Sequence, residues 1–261
     1  MAEATFLAGA PCWLDLMTSN TEGAKAFYGP LLGWEFQTGD QELYGGYVTA
    51  LLGGKPVAGI MQKQPDQADF PDLWSTYLGT DDAEATMKAV TEAGGAVLFG
   101  PMEVPEQGFM GMVQDPTGAA VGTWQPTGMR GYGLVYEPGA PYWHEVFTRD
   151  FGTSLDFYAS AFGWDITVVS DTDEFRYATL GANEASRAGV MDASGFLPEG
   201  VPAHWRVYFG VEDVRASAET VVQLGGTVLS GPEDTPYGTI ATIQDPFGAQ
   251  LQLASGYPAG R

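Results

Sequence analysis

The 261-residue chain carries 33 acidic against 11 basic side chains, a formal net charge of −22, with 44% hydrophobic and 13% aromatic residues. That charge excludes nucleic acid and anionic lipid as partners, since both need a basic surface, and the apolar content excludes a disordered chain. No stretch reaches the roughly 18 apolar residues of a membrane span, no signal peptide is evident before Pro11, and a single cysteine, Cys12, excludes an intrachain disulfide and leads us to expect a cytoplasmic protein.

The predicted elements begin with a strand over residues 12–17, an alternating stretch bounded by Pro11 and Thr18-Ser19-Asn20. A helix follows over 21–32. Ala24, Phe27, Tyr28, Leu31 and Leu32 form one apolar stripe, with Asn20 or Thr21 as N-cap and Gly33 as the stop. Strands are expected over 34–38, 47–52 and 56–62, the last two joined at Gly53-Gly54. The order then repeats: a strand over 74–80, a helix over 83–93 capped by Asp81-Asp82 and ended by Gly94-Gly95, and strands over 96–99, 109–114 and 119–124. Asp115-Pro116-Thr117-Gly118 makes the last turn. Each half is thus two β-α-β-β-β modules.

The whole first half recurs about 130 residues later. Gly9-Ala10-Pro11-Cys12-Trp13 returns as Gly139-Ala140-Pro141-Tyr142-Trp143, and Phe27-Tyr28 with Leu32-Gly33-Trp34 returns as Phe157-Tyr158 with Phe162-Gly163-Trp164. Ala58-Gly59-Ile60-Met61 returns as Ala188-Gly189-Val190-Met191, and Gln114-Asp115-Pro116 returns as Gln244-Asp245-Pro246. One fold unit has been duplicated. The expected domains are 1–124 and 139–261, with 125–138 as linker.

The module order, the Phe-Tyr…Gly-Trp helix end and the Asp-Pro-x-Gly-Ala turn in both halves resemble the vicinal oxygen chelate superfamily, which includes glyoxalase I, extradiol dioxygenases and bleomycin resistance proteins. The Pro-x-Trp opening resembles its tandem two-domain actinobacterial members. The resemblance implies an α+β fold, a tandem glyoxalase/bleomycin-resistance architecture in which four βαβββ modules form cup-shaped mixed sheets. It also implies four metal-ligand positions per cup. These fall on Trp13, Gly59, Ser75 and Gly122 in the first half, and on Trp143, Gly189, Arg206 and Gln252 in the second. An indole has no lone pair to give, glycine has no side chain, and arginine is a cation. Neither half presents a set of His and carboxylate ligands, and the only two histidines, His144 and His204, lie one or two residues off. No metal and no other cofactor is expected: the chain has no phosphate loop after a strand, no nucleophile elbow and no dinucleotide fingerprint.

Strand alternation puts Trp13 and Asp15 on one face with Ser75, Tyr77, Met61 and Trp124, and Trp143 and Glu145 with Arg206, Tyr208, Met191 and Gln252. Flat aromatics, adaptable methionines and a few polar groups suit a planar apolar ligand. Asp15 and Glu145 are either wetted, paired with a base such as Arg206, or placed to meet a cationic ligand group, and they are the candidate acid–base residues. Three functions stay open. The first is metal-independent binding of a bulky aromatic, antibiotic-like metabolite, anthracycline-like by resemblance, by sequestration in resistance or secondary metabolism. The second is a metal-free enzyme using Asp15 or Glu145. The third is a metal-dependent glyoxalase or dioxygenase. A monomer is expected, because duplication supplies within one chain the pairing that single-domain relatives obtain by dimerisation.

Overall fold

The computed structural model describes residues 5–256. The first half runs β1 (Pro11–Thr18), α1 (Thr21–Leu32), β2 (Glu35–Thr38), α2 (Gln41–Tyr44), β3 (Val48–Leu52), β4 (Lys55–Gln62), β5 (Leu73–Gly79), α3 (Ala83–Glu92), β6 (Ala96–Val104), β7 (Gly108–Gln114) and β8 (Ala120–Pro126). The second half runs β9 (Pro141–Thr148), α4 (Phe151–Phe162), β10 (Ile166–Asp171), β11 (Arg176–Leu180), β12 (Gly189–Asp192), β13 (His204–Gly210), α5 (Val214–Gln223), β14 (Thr227–Thr235), β15 (Gly238–Gln244) and β16 (Gln250–Ser255).

Each half folds into one eight-stranded mixed sheet, in the orders β2-β3-β4-β1-β5-β8-β7-β6 and β10-β11-β12-β9-β13-β16-β15-β14. In each, the two module-opening strands pair antiparallel at the centre, as in Trp13↔Tyr77 and Trp143↔Tyr208. The α+β reading and the tandem repeat are thus observed directly. The helices begin where capping chemistry allows. The Asn20 side chain accepts from the Gly23 N–H, and Asp82, Asp150 and Asp213 cap α3, α4 and α5 in the same way.

The local differences from expectation have physical reasons. The strand β6 runs on to Val104, past Gly100 and Pro101, by shifting register between Phe99 and Met102. The strand β8 extends to Pro126, two residues into the expected linker. The four-residue α2 is too short to leave a periodic signature; Asp40 nucleates it by accepting from the Glu42 and Leu43 N–H groups.

The two halves share their cores. Phe27 and Tyr28 of α1 lie in one buried cluster with Val207, Val221, Ile243 and Leu251. Phe157, Tyr158 and Trp164 lie in another with Leu78, Val90, Val113 and Val121. The first module therefore packs under the fourth, and the second under the third. The repeated motifs make this seam. Tyr28 donates to Asp245 Oδ2 at 2.9 Å, and Tyr158 to Asp115 Oδ2 at 3.1 Å. Trp34 Nε1 donates to the Gly139 carbonyl at 2.6 Å, and Trp164 Nε1 to that of Gly9 at 2.7 Å. Phe209 lies edge-on to both Trp34 and Trp74. The second glycine of each helix stop is a packing residue as well. A Cβ on Gly95 would sit 2.7 Å from Phe157, and one on Gly226 2.8 Å from Phe27. The helices and seam thus cover one face of each sheet, and the opposite face carries Trp13, Asp15 and Tyr77 in the first half and Trp143, Glu145 and Tyr208 in the second.

Candidate functional site

At the centre of the face opposite the helices, in each sheet, stands a carboxylate wrapped in aromatic donors. In the first half Trp13 and Asp15 come from β1, Tyr77 from β5, and Tyr47 from the residue just before β3. Trp13 Nε1 donates to Asp15 Oδ1 at 2.9 Å and lies 2.8 Å from the Tyr47 hydroxyl. Tyr47 donates a short hydrogen bond to the same carboxylate oxygen, and Tyr77 also hydrogen-bonds Asp15. In the second half Tyr177 donates to Glu145 Oε2 at 2.8 Å, Tyr208 donates a short bond to Oε1, and Trp143 Nε1 donates to the Tyr177 hydroxyl at 2.9 Å.

The backbone makes room for these phenols. A Cβ on Gly59 would overlap the Tyr47 hydroxyl and Asp15, and one on Gly189 would overlap the Tyr177 hydroxyl. A Cβ on Gly122 would run into the Tyr77 ring. The glycines at the expected fourth and eighth ligand positions are therefore filled by neighbouring phenols. In the second half the eighth position holds Gln252, which packs 2.9 Å from Thr242 Oγ1.

Burial sets the electrostatics. Asp15, Glu145, Trp13, Trp143, Tyr77, Tyr208, Trp124 and Gln252 are all buried, while Met61, Ser75, Met191 and Arg206 are half-buried. Loss of water raises the Asp15 carboxyl to about 6, against the donors Tyr47, Trp13 and Tyr77, which favour its ionised form. Burial likewise raises Glu145, opposed by Tyr208, Tyr177 and the nearby Arg206 charge. Burial and the adjacent carboxylates hold Tyr47, Tyr77 and Tyr177 well above the usual phenol range, so they remain protonated donors. The two carboxylates are thus satisfied from within the fold. Their neighbours differ: Arg206 is near Glu145 and stacks its guanidinium 4.0 Å above the Phe147 ring, whereas Ser75 holds the equivalent place beside Asp15.

Sequence reasoning placed Trp13, Asp15, Met61, Ser75, Tyr77 and Trp124 on one face, and Trp143, Glu145, Met191, Arg206, Tyr208 and Gln252 on the other sheet's equivalent, and the strand registers bring each set together. It missed Tyr47 and Tyr177, which close the carboxylate clusters. Their signal was available: a tyrosine recurs at the same interval as every other repeated motif. The two histidines are elsewhere engaged. His144 lies at the seam, with Nδ1 3.1 Å from Thr76 Oγ1 and Nε2 3.1 Å from the Tyr132 hydroxyl, and burial lowers it to about 3. His204 sits beside Phe147, with Arg206 Nε donating to its Nε2 at 3.3 Å. Cys12 is buried on the seam side, and its thiol is pushed up by burial.

A family model described as the Glyoxalase/Bleomycin resistance protein/Dioxygenase superfamily matches residues 12–122 and again 142–253. The chain belongs to that superfamily. Relatives in the superfamily cover nearly its full length. "Putative glyoxylase CFP32" of Mycobacterium tuberculosis is 36% identical over 96% of both chains. "Anthracycline biosynthesis protein DnrV" of Streptomyces peucetius is 34% identical over 97% of both. Among solved structures, the Mn(II)-bound glyoxalase from Novosphingobium aromaticivorans superposes with a TM-score of 0.64 at 16% identity, covering 96% of this chain and 83% of that one. The 2,3-dioxygenase LapB from Pseudomonas sp. KL28 does so at 0.65 and 15%, covering 99% and 97%. These superpositions share the superfamily fold.

A divalent metal, which superfamily glyoxalases and dioxygenases imply, does not fit the residues here. Trp13, Gly59, Ser75 and Gly122 offer no imidazole or carboxylate, and the second half offers an indole, a glycine, a guanidinium and an amide. Among the described residues no three His, Cys, Asp or Glu side chains cluster as a ligand set. Among those residues, too, no helix is long and apolar enough to cross a membrane.

Proposed function

We propose that the protein is a binding protein of secondary metabolism that sequesters a bulky, planar aromatic metabolite on the sheet face opposite its helices without a metal. The observation that carries this reading is the replacement, in both halves, of ligand-bearing positions by a Trp–Tyr–carboxylate cluster whose members satisfy one another. Such a cluster offers flat rings and no Lewis acid. Anthracycline biosynthesis, named for the relatives DnrV and DauV, supplies a candidate ligand class. The net charge of −22 favours a neutral or cationic ligand over an anionic one. The protein acts in the cytoplasm as a monomer, its two halves supplying each other's packing partners.

Titration of intrinsic tryptophan fluorescence with anthracycline aglycones and glycosides tests the reading. Saturable quenching, with the compound recovered unchanged after overnight incubation, is the expected result. Conversion of the compound would overturn sequestration and favour a metal-free enzyme. One observation supports that second reading: the Asp15 carboxyl, raised to about 6, lies near the pH at which a general acid–base group works best. Any turnover should then fall when Asp15→Asn or Glu145→Gln is introduced.

A further inference from the structure

We infer that the ligand compartment lies against the face of the first sheet opposite its helices, that its wall is a methionine surface selecting an apolar planar ring system, and that α2 is its strap. The inference rests on the binding role proposed above and specifies where that role is performed.

The strand registers define the wall. Met17 pairs with Met61 across β1 and β4, beside the Asp15 row. On the other arm Met110 pairs with Trp124, Met112 with Gly122, Met102 with Met110, and Phe99 with Met112. Residues paired in this way share a face, so five of the chain's nine methionines line one face together with Phe99 and the buried Trp124. Phe99 is 42% exposed and Met102 50% exposed, so the β6 end of this apolar wall meets solvent. The same positions in the second half are different. Ser230 stands for Phe99, Glu233 for Met102, Ile240 for Met110 and Thr242 for Met112, as their pairings show. There Phe147 takes the place of Met17 and is packed against Phe196, His204 and Arg206. Unbranched, polarisable thioethers conform to a flat ring and contact its edge favourably, whereas a glutamate and two hydroxyls demand polar partners.

The first half also closes over this wall. The helix α2 follows one edge strand of the sheet, and the β6–β7 hairpin lies at the opposite edge. Yet the Tyr44 hydroxyl donates to the Pro105 carbonyl at 3.3 Å and lies 3.5 Å from Gln107 Nε2. The two ends of the sheet therefore meet across this face. The contact is long and exposed, so it opens at low cost. The strap is bounded by the Gly39 N–H to Tyr47 carbonyl bond at 2.7 Å, and Gly45 and Gly46, both in the left-handed region, separate Tyr44 from the anchored Tyr47. The second half has no helix there: β10 and β11 are joined by a turn.

The test uses the full chain, labelled with ¹³C at the methionine methyls and titrated with 2-(aminomethyl)anthraquinone while tryptophan fluorescence is read. The methyls of Met17, Met61, Met102, Met110 and Met112 should shift, and that of Met191 should not. Met102→Glu puts a charge on the wall at a half-exposed position that tolerates it, and should weaken binding by about tenfold, while Glu233→Gln on the second sheet should leave it within about twofold. Tyr44→Phe should speed both entry and release of the probe. Shifts confined to Met191, or equal loss from Met102→Glu and Glu233→Gln, would overturn the placement while leaving an aromatic-binding protein. No quenching and no methyl shift at any probe concentration would overturn the placement and the binding reading together.

Discussion

Asp15 and His144 are both buried titratable groups, and they pull the stability of the protein in opposite directions with pH. Asp15 is raised from 3.8 to about 6, so the fold prefers its neutral form. A raised carboxyl is without cost below the unfolded value and costs stability as pH rises through the folded one. Asp15→Asn keeps an oxygen for Tyr47 and Trp13 and gives its amide to the Tyr77 hydroxyl. Its stability relative to wild type should therefore grow by about 2 kcal/mol between pH 4 and pH 7. Urea midpoints across that range provide the measurement, and a difference that stays flat with pH would rule out ionisation as the cause. His144 is lowered from 6.5 to about 3 because its ring is desolvated at the seam. A depressed histidine contributes stability above the unfolded value that is lost as pH falls from 6.5 toward 3. His144→Gln retains hydrogen bonding to Thr76 and Tyr132 without titrating, so its acid-unfolding midpoint should move to lower pH, as read by far-UV circular dichroism.

The elements that join the halves are the ones that the sequence repeats. Tyr28 receives the Trp74 indole N–H at 3.1 Å while donating to Asp245, and Tyr158 receives that of Trp205 at 2.9 Å while donating to Asp115. Removing either hydroxyl leaves a buried indole N–H and a carboxylate oxygen short of a partner. Tyr28→Phe and Tyr158→Phe should each cost about 1–3 kcal/mol in chemical denaturation, with similar values because the two environments correspond. A large inequality would show that one clasp dominates the seam. These residues also show why the fold was legible. The helix stripe at Phe27 and Tyr28, the Asp115 turn and the 130-residue interval each leave a local pattern, and helix bounds 21–32 follow from it directly. The site was legible by alternation, which put Asp15 with Trp13 and Tyr77. What fills it was not, because the phenol of Tyr47 reaches across from a neighbouring strand into space vacated by Gly59, a tertiary relation with no trace in local periodicity. The strap α2 escaped notice because four residues carry no period, and β6 was cut short because Gly100-Pro101 reads as a break.

At the scale of the whole molecule, sequence halves and packing units do not coincide. Each sheet is built from one half, but the core beneath β1 is completed by Val207, Val221, Ile243 and Leu251, and the core beneath β5 by Phe157, Tyr158 and Trp164. A separated first half would expose the apolar stripe of α1, lose the acceptor for Tyr28 and lose the Gly139 carbonyl that binds Trp34. Burial of apolar area is the main favourable term in folding, and native domains sit only about 5–15 kcal/mol above unfolding. Neither half can lose that interface and stay cooperatively folded. Residues 1–130 and 131–261, produced separately, should each lack a near-ultraviolet circular dichroism signal and a cooperative thermal transition. Mixed from denaturant, they should recover both, as a one-to-one complex with the mass of the intact chain by light scattering. The intact chain should unfold in a single transition by tryptophan fluorescence and far-UV signal alike. Two separate transitions, or a first half that folds alone with its tryptophans buried, would mean that the seam is a docking surface between autonomous domains instead of a common core.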